Sequence, residues 1–203
     1  MRKPAITILL SALLTAALLL TACHKAPGGE TTPAPSPEPP ALPEGCAFDP
    51  QTGAYEDEHI AFTLPEGQTV VSDGTAGVYS RYLTFSAPGD TAPATVYSVE
   101  SAGDALYTDF SQHDLEAMFR LFYERNIGAE VRLETLRCER FEGSSEKSGP
   151  YKAVLYEYSV GFEKAGIRQL VWAVETESDA LTLTFTVSDP EAVNASVASI
   201  RIK

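Results

Sequence analysis

Hydrophobic residues recur with three different spacings along this chain, and each spacing predicts a different element. From Ala5 to Leu20 they form one run, broken only by Thr7, Ser11 and Thr15. From Ile60 they alternate with small or polar residues, the period of a half-buried strand. Ile60-Ala61-Phe62-Thr63-Leu64 reads as one strand, ended by the turn Pro65-Glu66-Gly67. Residues 78–86 and 94–100 read as two more, around Ala87-Pro88-Gly89-Asp90. The period then lengthens: Leu115, Met118, Phe119 and Phe122 make an apolar helical stripe. Ser111 is placed to cap this helix with Asp114 as its capping-box partner, and Gly128 to end it.

After the helix, period two returns. Residues 130–141 predict a strand and residues 143–149 a polar loop. Val154, Tyr156, Tyr158, Val160 and Phe162 share one face of the next strand. Ala153, Leu155 and Gly161 on the other face are small or apolar, so both sides are expected to be covered. A hairpin loop is expected at 163–166, with Gly166 at positive φ. Leu170, Trp172 and Val174 line one further strand. Leu181, Leu183, Phe185 and Val187 line the last, with Thr182, Thr184 and Thr186 facing out. Asp189 and Pro190 start a short helix whose buried side is Val193, Val197 and Ile200. The class this predicts is α+β: an antiparallel β-sheet covered by one long helix and a short C-terminal helix. Residues 45–203 suffice for a single domain that buries about 70% of its unfolded surface.

The N-terminal run has a basic n-region, Arg2 and Lys3, and ends in Leu20-Thr21-Ala22-Cys23. This is the layout of a secretory signal with small residues before the cut. It resembles the lipobox of bacterial lipoproteins. The resemblance implies a signal peptide over residues 1–22, lipidation of Cys23 and a protein held on the extracytoplasmic side of the cell membrane. An uncleaved membrane helix and an ordinary secreted protein cut near Ala22 are the competing readings. Residues 23–44 follow as a tether. They hold seven of the 14 prolines and no aromatic residue, too little apolar bulk to offset the entropy of ordering.

Charge narrows the partners. The formal charge is −13, and loss of Arg2 and Lys3 without any acid makes it −15. Such a surface repels nucleic acid and anionic lipid. The expected partners are the membrane through the Cys23 lipid, and an envelope protein or a small ligand. No cofactor is implied. With Cys23 assigned to lipid, Cys46 and Cys138 remain as an even pair in an exported domain, and a disulfide between them is expected.

Candidate chemistry is sparse. The chain has no Gly-x-Ser-x-Gly elbow, HExxH helix, phosphate loop or paired CxxC. His59 follows Glu56-Asp57-Glu58, a run that reads first as a solvated hairpin tip and second as a divalent-cation site. Glu157 reads as an edge or solvent-facing strand position. Tyr151, Tyr156, Tyr158 and Trp172 are candidates for an aromatic ligand surface, against the competing reading of core. Residues 55–67, the closing strand Leu181-Thr182-Leu183-Thr184-Phe185-Thr186-Val187, and Ala198-Ser199-Ile200 resemble the PsbP-like group. Gln68 stands where that group often has an aromatic. The resemblance implies an antiparallel sheet between helices in a PsbP-like sandwich, a binding or accessory role, and no active-site residue. The expected function is a membrane-anchored, non-enzymatic binding or accessory module. The alternatives are an envelope hydrolase using acidic residues and a histidine, or a structural partner of another envelope protein.

Overall fold

The computed structural model describes residues 42–74, 79–90, 93–103, 107–162 and 165–203. The N-terminal apolar run, Cys23, the tether up to Ala41, Val78, and the loop residues Glu163 and Lys164 lie outside them. In chain order the elements are β1 (Ala47–Asp49), β2 (Ala54–Glu56), β3 (Ile60–Thr63), β4 (Thr69–Gly74), β5 (Tyr79–Ser86) and β6 (Thr95–Ser101). A 3-10 turn (Tyr107–Asp109) and α1 (Gln112–Ile127) follow. Then come β7 (Arg132–Ser145), β8 (Gly149–Phe162), β9 (Ala165–Glu175), β10 (Asp179–Thr186), α2 (Pro190–Ser199) and β11 (Arg201–Ile202).

The class is α+β, with two antiparallel sheets and two helices among the described residues. The large sheet has the order β4-β5-β6-β10-β9-β8-β7, the small one β1-β2-β3-β11. After β6 the chain leaves through α1 to the far edge. It then meanders back through β7, β8 and β9, so that β10 closes against β6.

Side-chain alternation sends each strand of the large sheet into two cores. On one face, Phe85, Tyr97, Leu155, Trp172 and Leu183 pack with Tyr55 and Phe62 of the small sheet and Val193 of α2. On the other, Val154, Tyr156, Tyr158, Val160 and Val171 pack with Leu115, Phe119, Phe122 and Tyr123 of α1. The Phe119 ring lies 5.5 Å from Tyr156 and 4.6 Å from Tyr158. Tyr123 and Tyr158 both donate to the buried Gln169 Oε1, at 2.7 and 2.8 Å. Each such buried aromatic stabilises the contact by about 1.5–3 kcal/mol before entropy is counted. The helix begins where its caps dictate. Ser111 and Asp114 form a capping box, and Gly128 ends α1 at φ 74°.

The structure departs from the sequence reading at identifiable places. One sheet was expected, but β1, β2, β3 and β11 build a second. The polar loop expected at 143–149 is mostly strand: Gly143, Ser144 and Ser145 pair with Tyr151, Pro150 and Gly149. Lys203 supports this hairpin end, its carbonyl accepting from Ser145 Oγ and Ser148 Oγ, both at 2.6 Å. Gly166 is a strand residue paired with Gly161, not a loop glycine at positive φ. A Cβ there would stand 3.1 Å from the Val160 carbonyl, a tight approach that favours glycine. Glu157 is buried, not solvent-facing, because β8 is an inner strand, and Arg168 Nε donates to it at 2.7 Å. Thr182 is buried rather than facing out. Ile200 lies just past α2, at its C-cap. Ordered packing begins at Leu42, ahead of Gly45.

Candidate functional site

The four aromatics proposed as one ligand surface are divided by the sheet. Tyr156 and Tyr158 lie in the core under α1, and Trp172 lies in the opposite core. Their strand parities fix this, since residues of even and odd number on β8 and β9 point to opposite faces. Tyr151 alone is partly buried, with its ring laid over Gly143: a Cβ there would fall 2.4 Å from the Tyr151 hydroxyl. The reading as core therefore holds for three of the four.

The expected Cys46–Cys138 bridge is also corrected. Both thiols are free, and they pack on opposite faces of the large sheet, Cys46 toward the small sheet and Cys138 toward α1. A seven-stranded sheet separates them, and a disulfide needs Cα atoms within about 7 Å. Burial raises both thiol pKa values, which keeps them protonated and weakly nucleophilic.

The acidic run before His59 is a solvated tip only in part: Glu56 and Glu58 are exposed, whereas Asp57 is buried. Asp57 is 2% exposed. Arg81 Nη1 donates to Asp57 Oδ2 at 2.7 Å and to Glu58 Oε2 at 2.9 Å. The Tyr55 hydroxyl donates to Asp57 Oδ2 at 3.0 Å, and the His59 and Ile60 amides donate to Oδ1 at 2.8 and 2.9 Å. Burial opposes the Asp57 charge, but Arg81 and these donors outweigh it and hold the carboxyl below its usual range. His59 Nε2 lies 3.4 Å from Glu58, and Lys203 Nζ donates to Glu56 and to the Asp57 carbonyl. The run thus joins the two sheets through Arg81 of β5. Among the described residues no group of three His, Cys, Asp or Glu side chains is arranged to hold a metal ion.

A second cluster borders an open cleft of about 620 Å³, lined by Asp109, Glu142, Tyr151, Lys152, Glu175 and Glu177 among others. Glu175, at the end of β9, accepts from the Thr108 amide at 3.1 Å and from the Thr108 hydroxyl. Arg140 donates to the Thr108 carbonyl at 2.7 Å and to the Phe110 carbonyl. These contacts latch the 3-10 turn onto the sheet. Burial pushes the Glu175 carboxyl up to about 7, with the Thr108 amide bond acting the other way.

Sequence reasoning passed over Arg81, Glu100 and Glu175. The available signal was a lone charge within an apolar alternation: Arg81 is the only charged residue of β5, and Glu100 the only one of β6.

No protein-family model matches the chain, and no curated protein does. Among solved structures the chain is similar to cyanobacterial PsbP (CyanoP) from Synechocystis sp. PCC 6803. The identity is 13%, the match covers 78% of this chain and 91% of that one, and the TM-score is 0.45. It is also similar to a protein of Bacteroides thetaiotaomicron VPI-5482, at 8% identity over 71% of this chain and 45% of that one, with a TM-score of 0.28. Likenesses this distant carry no residue role or activity across to this chain.

Proposed function

We propose that this protein is a lipoprotein anchored on the extracytoplasmic side of the cell membrane, its folded domain acting as a non-enzymatic binding or accessory module. The observation that carries the reading is the coincidence of Arg2 and Lys3, a sixteen-residue apolar run, small residues and Cys23, followed at once by the proline-rich tether. The lipid supplies attachment and the tether supplies reach, leaving the domain to bind. Two features favour binding over chemistry. Asp57, Glu58 and Glu157 are each committed to an arginine. The sequence motifs resembling PsbP-like proteins, with the sandwich they imply, belong to a group of mostly binding and accessory proteins.

Labelled palmitate incorporation and detergent phase separation test the anchor. The parent chain should take up label and enter the detergent phase, and Cys23→Ala should do neither. A Cys23→Ala chain that stays lipidated and membrane-bound would sink the lipoprotein reading.

A further inference from the structure

The sheet face under α1 is covered unevenly. The helix packs on β7, β8 and β9, while β5, β6 and β10 present Tyr82, Ser98, Glu100 and Thr182 on the same side. A β-bulge between Tyr79 and Arg81 turns Tyr79 to that side as well. Tyr79 and Tyr82, three residues apart, therefore stand together with ring centroids 5.5 Å apart. Tyr79 is directly paired with Glu100, and Glu100 with Ala180 on β10, whose methyl offers the carboxyl no hydrogen bond. Tyr107 of the 3-10 turn is buried nearby and stacks on Phe119 of α1, with ring centroids 6.2 Å apart. Its hydroxyl is pushed up by burial first, then by the nearness of Tyr79 and Glu100.

Glu100 is the unexplained member. It is 9% exposed, and its Oε2 is buried with no hydrogen-bond partner among the described residues. Burial raises its carboxyl above the usual range. Leaving such a group unpaired is unfavourable, and threonine or valine would satisfy the strand equally well. Other buried acids differ: Asp57 has Arg81, Glu157 has Arg168, and Glu175 has Thr108.

We propose that Glu100 and the rings of Tyr79 and Tyr82 form a site for the ammonium group of a small organic cation. The site deepens the binding-module reading and rests on it. Aromatic faces attract an ammonium through their quadrupoles, and Glu100 supplies the charge it lacks a partner for. A hard metal ion would need six or more oxygens, whereas the group offers one carboxylate among rings. The formal charge of −13 favours approach of a cation. Tyr82 is only partly buried, so the group reaches solvent on its side.

Calorimetric titration of the full chain in detergent micelles tests the site. The probes are choline against its uncharged carbon isostere, and butylammonium against 1-butanol. At least one cation should bind saturably, and about tenfold more tightly than its neutral counterpart. Glu100→Gln should weaken that binding about tenfold while the circular dichroism spectrum stays native and the melt stays cooperative. Tyr82→Leu, at a partly exposed position, should weaken it about threefold and serves if Glu100→Gln misfolds. No saturable binding of either cation up to about 50 mM, equal binding of the neutral isosteres, or unchanged affinity in a folded variant would each overturn the proposal. Such a failure leaves the palmitate result at Cys23 standing, because lipidation reads a different segment.

Discussion

Arg81 holds two carboxylates with one guanidinium nitrogen, and what that contact is worth depends on how little water reaches it. The Arg81 side chain is 10% exposed and that of Asp57 is fully covered. Removing one partner of a buried pair strands the other charge, which typically costs about 3–5 kcal/mol. Arg81→Met keeps the apolar stem and removes the charge. It should lower stability by roughly that amount in urea unfolding at neutral pH. The acid limb should change too. The folded pKa of Asp57 is depressed, so its contribution is complete above the unfolded value of about 3.9 and lost as pH falls through the folded value. Arg81→Met should therefore show a shallower acid denaturation than the parent. A variant as stable as the parent, with an identical acid limb, would reduce the pair to a surface contact.

At the scale of elements, the 3-10 turn is joined to the sheet by a carboxyl that is hard to ionise. Glu175 is raised from 4.5 to about 7. Between those values the folded chain binds more protons than the unfolded one, so stability falls as pH rises across the window. The full shift corresponds to about 3 kcal/mol, an upper figure for one group. Urea midpoints should decline from pH 4.5 to 7, and Glu175→Gln should remove most of the slope. Glu100, also raised by burial, leaves a remainder of the same sign. A parent midpoint that is flat or rising over the window, or a Glu175→Gln slope equal to the parent's, would show that the latch does not titrate this way. Elements with strong local signals were legible in the sequence. Ser111, Asp114 and Gly128 delimit α1, and the alternation from Val154 to Val160 announces a strand covered on both sides. The small sheet was not legible, because β1, β2 and β11 have two or three residues each and take their form from pairing with distant partners. The Arg81 and Glu100 groups were hidden for a related reason. Their members come from separate strands and meet only through register and a bulge.

At the scale of the molecule, an acidic domain follows a basic-tipped apolar run and a proline-rich segment, parts whose compositions give them separate physics. The proposed tether over residues 23–44 is proline-rich and has no aromatic residue, and a polyproline II segment of that length would reach about 65 Å. Reach should come without fold energy, but the division does not fall at Gly45. Leu42 packs against the core shared by the two sheets, and the Cys46 amide donates to the Pro43 carbonyl at 3.2 Å. Two deletions of nearly equal size should therefore behave differently. Removing residues 26–41 should leave the melting temperature unchanged within about 1 °C, since that proline-rich stretch without aromatic residues has too little apolar bulk to add fold energy. Removing residues 26–43 also takes away Leu42 and the Pro43 acceptor. It should cost about 1–2 kcal/mol, less than a fully buried leucine because Leu42 is only partly covered. That difference is several degrees for a domain of this size. Thermal melts of the three chains decide the matter. A large drop on removing 26–41 would mean that the proline-rich segment packs on the domain. Equal melts for both deletions would place the boundary at Gly45 and make the Leu42 contact energetically silent.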